Sequence, residues 1–143
     1  MKKRPFLIAV SWLLVAVCMG VIFSLSAQNG EESGETSGWL LFLLKLPVSE
    51  DFLRTAAHFL EFTGLAVLVY NALYQTCLKA RPFLSLIITS AYAVTDEIHQ
   101  IFVADRVCSF GDWLTDSLGA AAGVAAISLL VYIFSYFKRR RLR

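Results

Sequence analysis

Residues 6–27 read FLIAVSWLLVAVCMGVIFSLSA, a run in which Cys18 is the only ionisable side chain. A helix needs about 20 such residues to cross the hydrocarbon core of a bilayer, so this run predicts a transmembrane helix over about 5–27. A cleaved secretory leader is the competing reading, because Lys2, Lys3 and Arg4 precede the run and Ser24-Leu25-Ser26 is a weak small-x-small site. The run exceeds the ~7–15 apolar residues of a leader, which favours a retained span. The whole chain agrees with it: of 143 residues, 57 % are apolar and 17 % charged, against roughly 45–50 % and 25 % in soluble domains. A formal net charge of +2 gives no support to a strongly basic nucleic-acid binder or an acidic disordered chain.

Phe62 to Leu78, Pro82 to Thr95 and Ser117 to Phe137 are the other charge-free runs. The middle two are short and reach bilayer length only by taking in flanking polar residues. The expected fold is therefore all-α: one polytopic membrane domain over 1–143, with four transmembrane helices at about 5–27, 54–75, 83–103 and 112–137. Gly111 and Asp112 supply a turn and N-cap for the fourth.

The sidedness of charge orients the helices. Lys2, Lys3 and Arg4 precede the first helix, Lys79 and Arg81 separate the second from the third, and Lys138, Arg139, Arg140, Arg141 and Arg143 follow the fourth. By the positive-inside rule these segments are cytoplasmic, which places both termini inside a bacterial plasma membrane. All eleven acids, with Lys45, Arg54 and Arg106, then lie outside or in the outer half of the membrane. The basic tail reads as a topology anchor that also attracts anionic inner-leaflet lipid. In the first external loop, roughly 28–53, Trp39 to Leu46 is too short to span and is stopped by Pro47. It predicts a short interfacial or re-entrant helix, acting as a lid or simply as surface packing. Cys18, Cys77 and Cys108 fall at depths too different to pair.

Ionisable residues inside a span cost roughly 2.5–3.5 kcal/mol each on insertion scales, so they face a polar cavity or one another and mark function. At 100° per residue, Arg54, His58 and Glu61 sit at about 0°, 40° and 340° on the second helix, one narrow stripe. The third helix ends in Asp96-Glu97-Ile98-His99-Gln100. On the fourth, Asp112, Asp116, Gly119 and Gly123 sit at about 0°, 40°, 340° and 20°, which joins a polar head to a small-residue stripe that lets backbones approach closely. The second and fourth helices start outside and the third ends outside, so the three polar groups lie at one depth and predict a single outward-facing cluster. The plainer reading is that Arg54, Glu61 and Asp116 pair to hold the bundle together.

Ala57-His58-Phe59-Leu60-Glu61-Phe62 behind Arg54, then Asp96-Glu97-Ile98-His99-Gln100-Ile101-Phe102, Arg106, Asp112, and Gly119 with Gly123 resemble the pattern of the VanZ-like membrane proteins, named for a teicoplanin-resistance protein. The match begins near Phe23-Ser24-Leu25-Ser26 and runs through the fourth helix. Ala104-Asp105 stands where the family usually has Pro-Gly. Asp116 stands where it usually has Asn, which adds a negative charge and bears on the ligand this member accepts. The resemblance implies a small integral membrane protein with a link to glycopeptide resistance in the namesake. Remote similarity to enzymes that act on lipid headgroups, among them phosphatidylserine synthases, implies chemistry on a phospholipid or a lipid-linked cell-wall precursor.

On that reading Arg54 and Arg106 hold a phosphate by charge-assisted hydrogen bonds. His58, Glu61, Glu97 and Asp112 form the expected catalytic set, with His58 as general acid or base. Asp96, His99, Gln100 and Asp116 join the arginines as binding residues. Asp96, Asp112 and Asp116, with Glu97, either orient partners or ligate a hard divalent cation, the one cofactor the chain suggests. His58-x-x-Glu61 is neither Glu-x-x-His nor His-Glu-x-x-His, so di-iron oxidase and zinc hydrolase chemistry are not indicated. His99 lies about 200° from Glu97 on a helix, and a helix-end hydrogen bond competes with catalysis for it. The expected partners are membrane lipids or a lipid-linked precursor and no nucleic acid, while a homo-oligomer is left open. A non-catalytic accessory protein that binds the same ligand is the alternative. A small transporter is weakened because no ionisable residue lies in the inner half of any span.

Overall fold

The structure is a computed structural model, and it describes residues 4–28, 35, 48–104 and 106–141. These are all-α, with four helices among the described residues: α1 (Pro5–Ser26), α2 (Glu50–Cys77), α3 (Pro82–Gln100) and α4 (Phe110–Arg141). The interfacial helix expected at 39–46 lies outside the described residues, as does Asp105.

Local chemistry sets the helix ends. Pro5 and Pro82 open α1 and α3, where the missing N–H is an orphan in any case. Ser49 caps α2, its Oγ accepting from Phe52 N–H at 3.2 Å, so α2 begins four residues before the expected 54. The helix stops at Leu78, whose left-handed backbone (φ 55°) closes on the Tyr74 carbonyl. The expected cap of α4 needs correction. Ser109, not Asp112, caps the helix, its Oγ accepting from the backbone N–H groups of Gly111 (3.1 Å) and Asp112 (3.3 Å). Asp112 lies in the first turn, where its charge meets the positive end of the helix dipole. At its far end α4 runs through the basic residues to Arg141 instead of stopping near 137.

Polar contacts far apart in sequence fix the topology. Asn71 Nδ2 donates to Ser11 Oγ (3.2 Å) and Trp12 Nε1 to Thr76 Oγ1 (3.1 Å), which lays the first half of α1 against the last turns of α2 and makes the two antiparallel. Tyr92 donates to the Met19 carbonyl (2.7 Å) and Ser26 to Asp96 (2.8 Å), so α1 and α3 are parallel. Gly119 and Gly123 press against the backbone carbonyls of Phe59 and Thr63, so α4 runs parallel to α2. The helices alternate up and down, and α2 packs against the other three. Phe62, Leu65, Val69, Ala72 and Leu73 of α2 form the core with Val15 and Ile22 of α1 and Ala93 of α3.

The outside of the bundle is apolar: Phe6, Phe83, Ile87, Leu118 and Phe134 are all exposed, a surface suited to lipid. α1, α2 and α4 are each long and apolar enough to cross a membrane. The expectation of four crossing helices is thus met by three on this measure. α3, with 19 residues, falls short because its last turn and a half carries Asp96, Glu97, His99 and Gln100.

Candidate functional site

The C-terminal ends of α1 and α3 and the N-terminal turns of α2 and α4 meet at one end of the bundle, and the polar residues gather there. Asp96 and Asp116 are buried, at 2 % and 0 % exposure. Their carboxylates and the His58 ring bring one N or O atom each to within 4.8 Å of one another. His58 Nδ1 lies 3.5 Å from Asp116 Oδ1, an ion-pair distance too long for a good N–H···O bond. Asp96 Oδ2 accepts from Ser26 Oγ (2.8 Å) and Gln100 Nε2 (3.3 Å). Asp96 Oδ1, both Asp116 oxygens and His58 Nδ1 are buried without a hydrogen-bond partner. Buried polar atoms are rarely left so, and four at one point single out this cluster as the candidate site.

Packing places Asp116 there. Gly119 and Gly123 let α4 approach α2 so closely that a Cβ at either position would collide with the Phe59 or Thr63 carbonyl. Thr63 Oγ1 bridges the contact by donating to the Gly119 carbonyl at 2.9 Å. Asp116, one turn before Gly119 on α4, is thereby set against His58, the residue next to Phe59 on α2.

Beside the cluster is a small cleft of ≈ 30 Å³ lined by Arg54, Thr55, His58, Arg106, Asp112 and Thr115. That volume admits a water or a single phosphate oxygen, so a larger ligand must sit at its mouth. Arg106 Nε donates to the Gln28 carbonyl at 3.4 Å, which ties the α3–α4 turn to the end of α1. Burial, and then the like charge of Arg54, lower the pKa of the Arg106 guanidinium from its usual value. It stays protonated. Two cations that repel across a half-buried cleft favour an anion between them.

Residues 11–134 match the sequence profile of the VanZ/LLP1 family, and the site lies wholly within the match. The chain belongs to the VanZ/LLP1 family. No curated protein and no solved structure matches it. With three helices fit to cross a bilayer, this VanZ/LLP1 chain is a membrane protein.

The structure brings together most of the residues that the sequence nominated. His58, Asp96, Gln100 and Asp116 form the buried cluster, and Arg54, Arg106 and Asp112 the cleft. Glu61, one turn deeper on α2, is close enough to act electrostatically on His58, Asp96 and Asp116. The expected bundle-holding pairing of Arg54 with Asp116 is not formed. Arg54 Nη2 instead pairs with Asp51 at 3.1 Å, one turn away on its own exposed face, and Asp116 meets His58. Glu97 reaches the α4 cap, its Oε2 accepting from Ser109 N–H at 2.7 Å, while its Oε1 is buried without a partner and the carboxyl is close enough to act electrostatically on Asp96, Asp112 and Asp116. His99 turns away, its ring stacked on Phe23 with centroids 4.0 Å apart. Four site residues escaped sequence reasoning: Ser26, the donor to Asp96, Ser109, which joins Glu97 to the start of α4, and Thr55 and Thr115, which line the cleft. For Ser26 the signal was the Phe23-Ser24-Leu25-Ser26 start of the resemblance, whose first and last members touch His99 and Asp96.

Proposed function

We propose that this VanZ/LLP1 protein binds and transforms the anionic headgroup of a phospholipid or lipid-linked cell-wall precursor at the outer face of a bacterial plasma membrane, with both termini cytoplasmic. The observation that carries this reading is the cleft itself: two arginines, an imidazole and a carboxylate at the end of a bundle whose flanks are apolar. A lipid presents a phosphate at that depth while its chains lie along the bundle's sides. Arg54 and Arg106 hold the phosphate by charge-assisted hydrogen bonds. His58 keeps Nδ1 toward Asp116 and offers Nε2 to a headgroup oxygen. Asp112 accepts the proton of a hydroxyl whose oxygen bonds to the phosphorus, and His58 Nε2–H gives its proton to the headgroup oxygen as that P–O bond breaks. Glu97 acts through Ser109, fixing the turn that carries Arg106. α3 crosses the membrane as well, its polar end covered by the other three helices, and a link to teicoplanin resistance belongs to the same proposal.

The test is lipid and precursor profiling of host envelopes that carry wild type, Arg106→Gln, Asp112→Asn or empty vector at matched expression, with teicoplanin susceptibility alongside. Wild type alone should shift a headgroup class. Profiles identical to the empty vector throughout would remove the catalytic reading. Headgroup binding without turnover in purified protein would assign the accessory role instead.

A further inference from the structure

At the centre of the bundle's polar end, two carboxylates and an imidazole face one another with more acceptor atoms than donors. We propose that His58, Asp96 and Asp116 hold one first-row divalent cation, Zn²⁺ or Mn²⁺, through Nδ1 of His58, Oδ1 of Asp96 and an oxygen of Asp116.

Three independent observations carry the assignment. The first is geometric. Bonds of about 2.0–2.2 Å in a tetrahedral site set ligand atoms roughly 3.3–3.6 Å apart. His58 Nδ1 and Asp116 Oδ1 already stand 3.5 Å apart, and one ligand atom from each of His58, Asp96 and Asp116 lies within 4.8 Å of the others, a spread that small side-chain rotations close. The second is the set of orphaned atoms. Asp116 is fully buried with neither oxygen hydrogen-bonded, and Asp96 Oδ1 and His58 Nδ1 are likewise buried without a partner. The third is the outer shell. Ser26 and Gln100 both donate to Asp96 Oδ2 and so leave Oδ1 for the cation, the arrangement in which ligating carboxylates are usually held.

Charge and ligand type select the ion. Two buried carboxylates need two positive charges, and a divalent ion with a neutral imidazole leaves the cluster neutral in a low-dielectric bundle. An imidazole beside carboxylates suits Zn²⁺ or Mn²⁺, whereas Ca²⁺ and Mg²⁺ favour all-oxygen shells. The ligand set differs from the one expected from sequence. Asp112 lines the cleft, Glu97 gives one oxygen to Ser109, and neither belongs to the group whose ligand atoms converge within 4.8 Å.

The rival is a proton shared between Asp96 and Asp116, and metal analysis separates the two. Full-length protein in detergent micelles is stripped with chelator, reloaded with Zn²⁺ or Mn²⁺, and assayed for bound metal and for thermal unfolding with and without chelator. Wild type and Asp112→Asn should hold one equivalent per chain and lose thermal stability on chelation. Asp96→Asn and Asp116→Asn should hold none and be indifferent to chelator. Ser26→Ala should keep the site with affinity weakened about 10–100-fold. Asn keeps the volume of Asp and removes a buried charge, so stripped Asp116→Asn should unfold no lower than stripped wild type. Wild type that holds no metal and ignores chelator would overturn the assignment in favour of the shared proton. Equal metal in wild type and the two Asn variants would overturn it as adventitious binding. Metal is read on resting protein, so this outcome is independent of whether the cleft above proves to transform a headgroup.

Discussion

Arg106 owes its place to a turn and not to a helix face. Its guanidinium is anchored on the Gln28 carbonyl, half-buried, and turned into a cleft that it shares with Arg54. A hydrogen bond to a charged group is worth about 1.5–3 kcal/mol, so Arg106→Gln should weaken binding of an anionic lipid in nanodiscs roughly ten- to hundredfold with little change in fold. Arg106→Lys should recover only part of it, because an ammonium keeps the charge but not the two-pronged fork. Equal binding by all three proteins would place the anion elsewhere. Residues such as His58, Asp96 and Asp116 were legible in sequence because charge inside an apolar helix has few explanations. Ser26 and Ser109 were not, since a hydroxyl is unremarkable until a partner from a distant part of the chain is known. His99 was half legible: its helical angle already separated it from Glu97, but only packing revealed Phe23 as its neighbour.

Between α2 and α4 the site depends on two missing side chains. Gly119 and Gly123 face carbonyls of the α2 backbone, which cannot swing aside as a flexible side chain would. Gly119→Ala should therefore cost about 1–3 kcal/mol through overpacking, and it should part His58 from Asp116 as α4 is pushed off. Gly64 lies on the same helix pair with nothing within 4 Å of its absent Cβ, so Gly64→Ala should be neutral or stabilise by about 0.5–1 kcal/mol. Unfolding of the two variants in one detergent, with metal or headgroup binding as second readout, checks both signs. The spacing of Gly119 and Gly123 made a close helix contact legible and left its partner open between the second and third helices. The ends of the elements were read less well. Cap geometry depends on which hydroxyl reaches which N–H, so Ser49 and Ser109 shifted two helix starts by two to four residues.

For the molecule as a whole, a net charge of +2 hides a division among the described residues: Arg4, Lys79, Arg81 and Lys138 to Arg141 lie at one end of the bundle, and Asp51, Asp96, Asp112 and Asp116 at the other. The alternating helices are consistent with this division: the last turns of α2 and α4 lie at the end opposite the Asp96–Asp116 cluster. Three helices are long and apolar enough to cross a membrane and α3 is not, so a crossing by α3, as proposed above, rests on the other three covering its polar end. If α3 failed to cross, α2 and α4 could not both start on the same side, and the register of Gly119 on Phe59 would be lost. Two exposed cysteines make this testable without adding any label site. Cys108 lies in the turn before α4 and Cys77 at the last residue of α2, at opposite ends of the bundle. A membrane-impermeant maleimide applied to intact cells should modify Cys108 and spare Cys77, and inverted vesicles should reverse the pattern. Labelling of both from one side would mean that α3 does not cross. Labelling of Cys77 alone from outside would turn the cleft toward the cytoplasm, where its two arginines would meet the inner-leaflet headgroups instead.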